Sequence, residues 1–169
     1  SLIGDAQVRN RGTIGGSVSN SDPAADYPAG VLGLGAEIVT NKRTIAADDF
    51  FTAMFETALE EGELLTKIKF PKPESAAYVK FPNPASRYAT VGVFIALTGS
   101  GVRVAITGAA PSVFRSTDME KALNSEFSVE ALEGITLDAG EMNSDLHATA
   151  EYRAHLCTVM AKRAVLKLL

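Results

Sequence analysis

One cysteine, Cys157, is all the thiol this chain of 169 residues contains. It excludes an internal disulfide and cannot ligate an iron–sulfur cluster, which takes several thiolates. Among its apolar neighbours Cys157 is expected to serve as a small core residue. Histidine is nearly as scarce: His147 and His155 stand outside any dense ligand cluster and beside no nucleophile motif, which sets aside a metal centre and a Ser-His-Asp hydrolase. Long apolar runs are missing too. The longest, residues 91–97 with Gly92 inside it, falls far short of the roughly 20 residues of a membrane span, so no transmembrane helix is expected. With a formal charge of −4 and scattered basic residues, the chain lacks the clustered positive face that nucleic acid requires. Its polar start carries none of the zones of a signal peptide, and with the lone cysteine this points to a cytoplasmic setting. Neither an internal repeat nor a low-complexity segment is present.

Glycine, hydroxyls and amides are instead concentrated at the start. Gln7-Val8-Arg9-Asn10-Arg11-Gly12-Thr13-Ile14-Gly15-Gly16-Ser17 is followed by Ser19-Asn20-Ser21-Asp22-Pro23-Ala24-Ala25-Asp26-Tyr27-Pro28, a stretch with too little apolar content for a core of its own. Gly15 and Gly16 let the backbone turn sharply and gather N–H groups around an anion, with Thr13 and Ser17 adding hydroxyl donors. Both common phosphate motifs fail. A P-loop needs Lys-Ser/Thr after its last glycine, where this chain has Ser17-Val18, and the dinucleotide fingerprint needs a preceding strand and a third glycine.

Two prolines in Phe70-Pro71-Lys72-Pro73 interrupt regular structure and mark a boundary between residues 1–71 and 72–169. Before it, residues 26–33 open with a carboxylate and Pro28 and read as a short helix ended by Gly35. Residues 37–40 and 43–45 read as a hairpin around Asn41-Lys42, and Asp48 and Asp49 as caps of a brief helical turn. Residues 64–70 alternate as a strand, with Leu64, Thr66, Ile68 and Phe70 on one face and Leu65, Lys67 and Lys69 on the other. After the boundary, residues 77–81, 91–97 and 102–107 predict a three-stranded antiparallel sheet with one face covered by helices. Those helices are expected near residues 118–123, 128–134 and 149–169, the last with Tyr152, Leu156, Val159, Met160, Ala164 and Leu166 on one side. The fold class is α+β.

Several residues carry two readings each. Asp26 is a helix cap or an acceptor for ligand N–H or O–H groups. Lys80 is an outward solubilising charge on its strand or a cation facing a ligand. Tyr88 packs at the sheet rim or stacks on a ring, Leu65 is a core residue or a neighbour of a cofactor, and Arg9 and Arg11 are solvated loop charges or partners of phosphate. Asn10 is expected to fix its loop through backbone bonds.

The run Thr13-Ile14-Gly15-Gly16-Ser17, with Tyr78-Val79-Lys80-Phe81, Ser86-Arg87-Tyr88-Ala89, Ser144-Asp145-Leu146-His147-Ala148 and Glu151-Tyr152-Arg153, closely resembles the FAD-binding medium subunit of the molybdenum hydroxylases of the carbon monoxide dehydrogenase and xanthine dehydrogenase type. The likeness runs over nearly the whole chain. It implies a second FAD-binding subdomain followed by a sheet packed on a helical bundle, with FAD held by Thr13, Ile14, Gly15, Gly16, Ser17, Asp26, Leu65, Lys80 and Tyr88. Asp26 and Lys80 would reach the flavin side, Lys80 as a cation that steadies the reduced ring, Tyr88 would lie against the isoalloxazine, and Leu65 would pack beside it. The family carries a further N-terminal FAD subdomain that this sequence lacks, so Ser1 looks like a cut and FAD is expected to bind weakly or not at all to the isolated chain. The resemblance also implies an iron–sulfur small subunit and a large subunit with the molybdenum cofactor as partners, and electron relay through FAD to NAD or a quinone. The alternative is a subunit-docking module that binds no FAD alone.

Overall fold

The computed structural model describes residues 3–169. The polar start does not form a loop. It folds into two short helices, α1 (Ala6–Arg11) and α2 (Ile14–Asn20), each begun by a capping side chain: Asp5 accepts from the Val8 amide at 2.8 Å and Thr13 from the Gly16 amide at 3.0 Å. Helix α3 (Tyr27–Gly33) follows, its Pro28 where a missing N–H is harmless.

Strands β1 (Glu37–Thr40) and β2 (Thr44–Ala46) form the expected hairpin, and β5 (Leu65–Lys69) joins the other edge of β1. Between them a single 3₁₀ turn at Ala47–Asp49 leads into the small pair β3 (Phe51–Ala53) and β4 (Glu56–Thr57). The strict alternation expected of residues 64–70 does not hold. The register shifts between Val39 and Thr40, so Val39 opposes Lys67 while Thr40 opposes Leu65, and the extra residue turns Leu65 to the same core as Ile68. Leu64 and Phe70 are left 66% and 44% exposed.

The larger sheet runs β6 (Ser75–Pro82), β7 (Ala89–Thr98), β8 (Gly101–Thr107), all antiparallel, and ends in a two-residue strand, β9 (Phe114–Arg115), that the sequence pattern did not include. Both faces are covered. Val91, Val93 and Ile95 point toward α5 (Ala150–Leu166) and α4 (Thr117–Ser125), while Tyr78, Phe94 and Ala105 point toward the core of the N-terminal region, built on Ile38 and Phe50. A central strand buried on both sides explains the unbroken apolar run of β7. Residues 128–134 hold only a 3₁₀ turn, Glu130–Leu132. Helix α5 starts at its Thr149 cap, but the face it buries is centred on Arg153, Leu156, Cys157, Met160 and Ala164. Tyr152 and Leu166 are 43% and 63% exposed.

Glu63, its side chain wholly buried, ties β1, β2 and the turn before β5 together: it accepts from Thr40 Oγ1 at 2.7 Å, from Arg43 Nε at 3.1 Å and from the Glu60 amide at 2.9 Å. The Arg43 hydrogen bond, then the Glu60 amide and Thr40, hold its carboxyl at about 2. A lowered carboxyl stabilises the fold above its unfolded pKa and loses that contribution as pH falls through the folded one. Glu63→Gln is therefore expected to lower the urea midpoint at pH 7, with the deficit relative to the parent shrinking between about pH 4.5 and pH 2. An equal deficit at both ends of that window would mean that the charge of Glu63 contributes nothing.

Candidate functional site

Helices α1 and α2, the segment before α3 and the residue before β7 enclose a cleft of about 700 Å³, in the usual size range of small-molecule sites. Gly12, Thr13, Gly16, Ser17 and Asn20 line one wall, Arg9 and Arg11 the rim, and Asp22, Asp26, Tyr27 and Tyr88 the opposite side. The expected glycine turn is thus the first turn of a helix. Gly16 N–H is taken by the Thr13 hydroxyl and Ser17 N–H by the Thr13 carbonyl, while the Ile14 and Gly15 amides lie before the point where intrahelical bonding begins.

Of the nine sequence-predicted residues, Thr13, Gly16, Ser17, Asp26 and Tyr88 line this cleft. Gly15 faces away, toward Leu65, whose Cδ2 would lie 3.6 Å from a Cβ built there. Leu65 therefore supports the back of α2. Ile14 is 39% exposed at the helix start. Arg9 is spent locally, its Nη1 donating to the carbonyls of Ile3 and Gly4 at 2.9 and 2.8 Å.

Asp26 is not a cap. It holds the capping position with helical backbone angles, makes no capping bond, and is 8% exposed. Its carboxylate instead accepts from Tyr78 Oη on one oxygen and from Lys80 Nζ, at 3.0 Å, on the other. Nor is Lys80 an outward charge. Its side chain is 4% exposed, and its ammonium donates to the Arg87 carbonyl at 2.8 Å as well as to Asp26. Lys80 lies beneath Asp26 and borders a second cavity, of about 680 Å³, on the other side of α1. Its charge is already compensated by Asp26.

Burial, then the charge of Asp26 and the bond donated to it, push the Tyr78 hydroxyl far above the ordinary tyrosine range, so it remains a donor at any working pH. Tyr78 was legible in sequence only as part of a motif; its parity, two residues from Lys80 on the same strand, was the signal that places both on one face. Tyr88 is also raised, by burial and by Asp22, Asp5 and Asp26 in turn.

A diphosphate fits the chemistry of the α2 wall: the Thr13 and Ser17 hydroxyls and the rim Arg11 are all donors, and the glycine at position 16 leaves the wall without a side chain. Among the described residues no group of three or more His, Cys, Asp and Glu side chains is placed to hold a metal ion, and no helix is long and apolar enough to cross a membrane.

Comparison with known proteins gives a consistent picture. Residues 1–73 match the family described as FAD binding domain in molybdopterin dehydrogenase, and residues 76–168 match the CO dehydrogenase flavoprotein C-terminal domain. The nicotine 6-hydroxylase medium subunit of Paenarthrobacter nicotinovorans is 34% identical over 98% of this chain and 63% of its own length. The carbon monoxide dehydrogenase medium chain of Hydrogenophaga pseudoflava is 34% identical over 97% of this chain and 63% of its own. Among solved structures, the reconstituted CO dehydrogenase from Oligotropha carboxidovorans superimposes with a TM-score of 0.85 at 33% identity, covering 98% of this chain and 63% of that one. The chain therefore spans under two thirds of the length of these relatives.

Proposed function

Since the chain belongs to the FAD-binding medium subunits of the molybdenum hydroxylases, of the CO dehydrogenase flavoprotein type, we propose that its cleft holds FAD and that the complete protein relays electrons from iron–sulfur clusters through that FAD to NAD or a quinone. The partners in this reading are an iron–sulfur small subunit and a large subunit carrying the molybdenum cofactor. The observation that carries it is the lining of the 700 Å³ cleft, where Thr13, Gly16 and Ser17 face Asp26 and Tyr88. When bound, FAD supplies a ring able to exchange one or two electrons.

The chain's own residues bind and orient. Residues 1–71 contribute the diphosphate wall, with the Thr13 and Ser17 hydroxyls donating and Leu65 bracing α2 from behind. Asp26 offers its remaining lone pairs to ribityl hydroxyls or ring N–H groups, with Tyr78 and Lys80 fixing its direction. Residues 72–169 contribute Lys80 and Tyr88, the latter half-buried and able to cover one face of the ring and exclude water. Lys80 acts mainly through Asp26, because its charge is neutralised there.

Titrating FAD into the purified chain, followed by flavin fluorescence, tests this reading with one substitution. A side chain at Gly16 projects into the cleft wall and crowds Thr13 Oγ1, which would lie 3.0 Å from the new Cβ. Gly16→Val is expected to weaken FAD by at least about tenfold, or about 1.4 kcal/mol. Because binding to this chain alone is expected to be weak, FAD binding that is equal in the parent and in Gly16→Val would reject the cleft as the FAD site, and no binding to either would leave the isolated chain a subunit-docking role.

A further inference from the structure

Arg153 is a cation in the first turn of α5, 5% exposed, on the face that packs against the sheet. Its Nη1 donates to two backbone carbonyls, Thr90 at 2.7 Å and Gly108 at 2.8 Å, and its Nη2 donates to Asp145 Oδ2 at 2.7 Å. Asp145 is itself held, its other oxygen accepting from the His147 and Ala148 amides at 2.9 and 3.0 Å while its own N–H donates to the Ala148 carbonyl. The guanidinium thus joins the start of β7, the residue after β8 and the turn before α5.

Those two strand ends also hold the segment that carries Asp26. Gly108 N–H donates to the Pro23 carbonyl at 2.7 Å and Ala89 N–H to the Ala24 carbonyl at 3.2 Å. Thr107 Oγ1 lies 2.8 Å from both the Pro23 and the Ala25 carbonyls. Asp26 is the next residue in the chain, and Tyr88 immediately precedes Ala89. Hydrogen bonds and the backbone itself therefore link Arg153, through Thr90 with its neighbour Ala89 and through Gly108, to residues 23–25, next in the chain to two of the residues that line the cleft.

We propose that Arg153, oriented by Asp145, is a positioning residue that fixes the Asp26 and Tyr88 wall of the cofactor cleft from the opposite side of the sheet. The role follows from the donor geometry. An apolar side chain of the same volume could fill the site and often costs a fold little, whereas only a planar fork can bind two carbonyls and a carboxylate at once and so set their mutual distance. Lysine, a point charge with three donors and no plane, cannot hold all three acceptors in that arrangement. The proposal rests on the FAD reading for its consequence but not for the clamp itself.

The test uses Arg153→Met, Arg153→Lys and the milder Asp145→Asn, which keeps the shape of the side chain and both carbonyl bonds of Arg153. Amide hydrogen exchange without ligand is expected to accelerate in residues 22–27 and 88–90 of Arg153→Met, with the β1–β2 hairpin unchanged. FAD affinity is expected to fall about ten- to hundredfold, as when a residue orienting direct ligands is lost. Arg153→Lys should restore little of this, and Asp145→Asn should shift both readouts in the same direction by less. Unchanged exchange at residues 22–27 and 88–90 would overturn the clamp, and faster exchange with unaltered FAD affinity would overturn its positioning role. Should the chain alone bind no FAD, the exchange pattern decides the clamp by itself. Should Arg153→Met fail to fold, Asp145→Asn decides it by the same readouts.

Discussion

Lys80→Met will lower stability by about 3–5 kcal/mol, measured by urea unfolding at pH 7, because it leaves a buried carboxylate without its cation. Asp26 and Lys80 have side chains 6% and 4% exposed, so neither can recover its hydration when the other is lost. Methionine fills nearly the same volume, which confines the loss to electrostatics and hydrogen bonding. Against a total stability of about 5–15 kcal/mol for a domain, this is a large fraction. Tyr78→Phe removes only the other donor to Asp26 and should cost about 1.5–3 kcal/mol, the range for a hydrogen bond to a charged group. The double variant Asp26→Asn/Lys80→Met removes both charges and should recover much of the Lys80→Met loss. All three should bind FAD more weakly, since each frees or alters the carboxylate that faces the cleft. A Lys80→Met protein as stable as its parent would show that Asp26 needs no counter-charge and that the arrangement beneath the cleft is incidental.

The pair also shows where sequence reading reaches its limit. Lys80 and Asp26 are separated by 54 positions, and nothing in the local pattern of either reveals that the segment before α3 brings the Asp26 carboxylate onto the ammonium of Lys80. What local chemistry controls was legible: the hairpin of β1 and β2, the three long strands of the larger sheet, and the start of α5 at Thr149 all follow from β-branched runs, turn residues and a capping hydroxyl. Two kinds of feature were not. A bulge changes which residues share a face without changing composition, so Leu65, read as core, shares that core with Ile68, which strict alternation had put on the opposite face. A buried charge breaks the apolar stripe from which a helix face is read, so Arg153 concealed the true buried side of α5 while the exposed Tyr152 and Leu166 suggested another. In the cleft, the composition of Thr13 to Ser17 pointed to donors, but a capped helix start presents them where a free turn was expected.

Gly108→Ala will destabilise the protein by about 2–5 kcal/mol, and the cause can be separated into two parts. Gly108 has φ +83°, a conformation that costs an ordinary residue roughly 1–2 kcal/mol. A Cβ there would also lie 2.5 Å from the Ala89 carbonyl oxygen and 2.8 Å from that of Thr90. These are backbone atoms of β7, so no rotamer change can relieve the contact. Overpacking of this kind adds about 1–3 kcal/mol. Gly62 supplies the control: its φ is +69°, but a Cβ meets nothing within 4 Å. Gly62→Ala should therefore show the conformational cost alone, and the difference between the two substitutions in urea unfolding measures the steric part. That steric part has a direction, because pushing β7 away from Gly108 widens the gap between the two carbonyls that Arg153 spans. Gly108→Ala should consequently loosen residues 23–25 and weaken FAD, effects that Gly62→Ala should not share. Equal losses for the two variants would show that β7 yields freely at Ala89 and Thr90, and a strand that yields there could not hold the cleft wall in place.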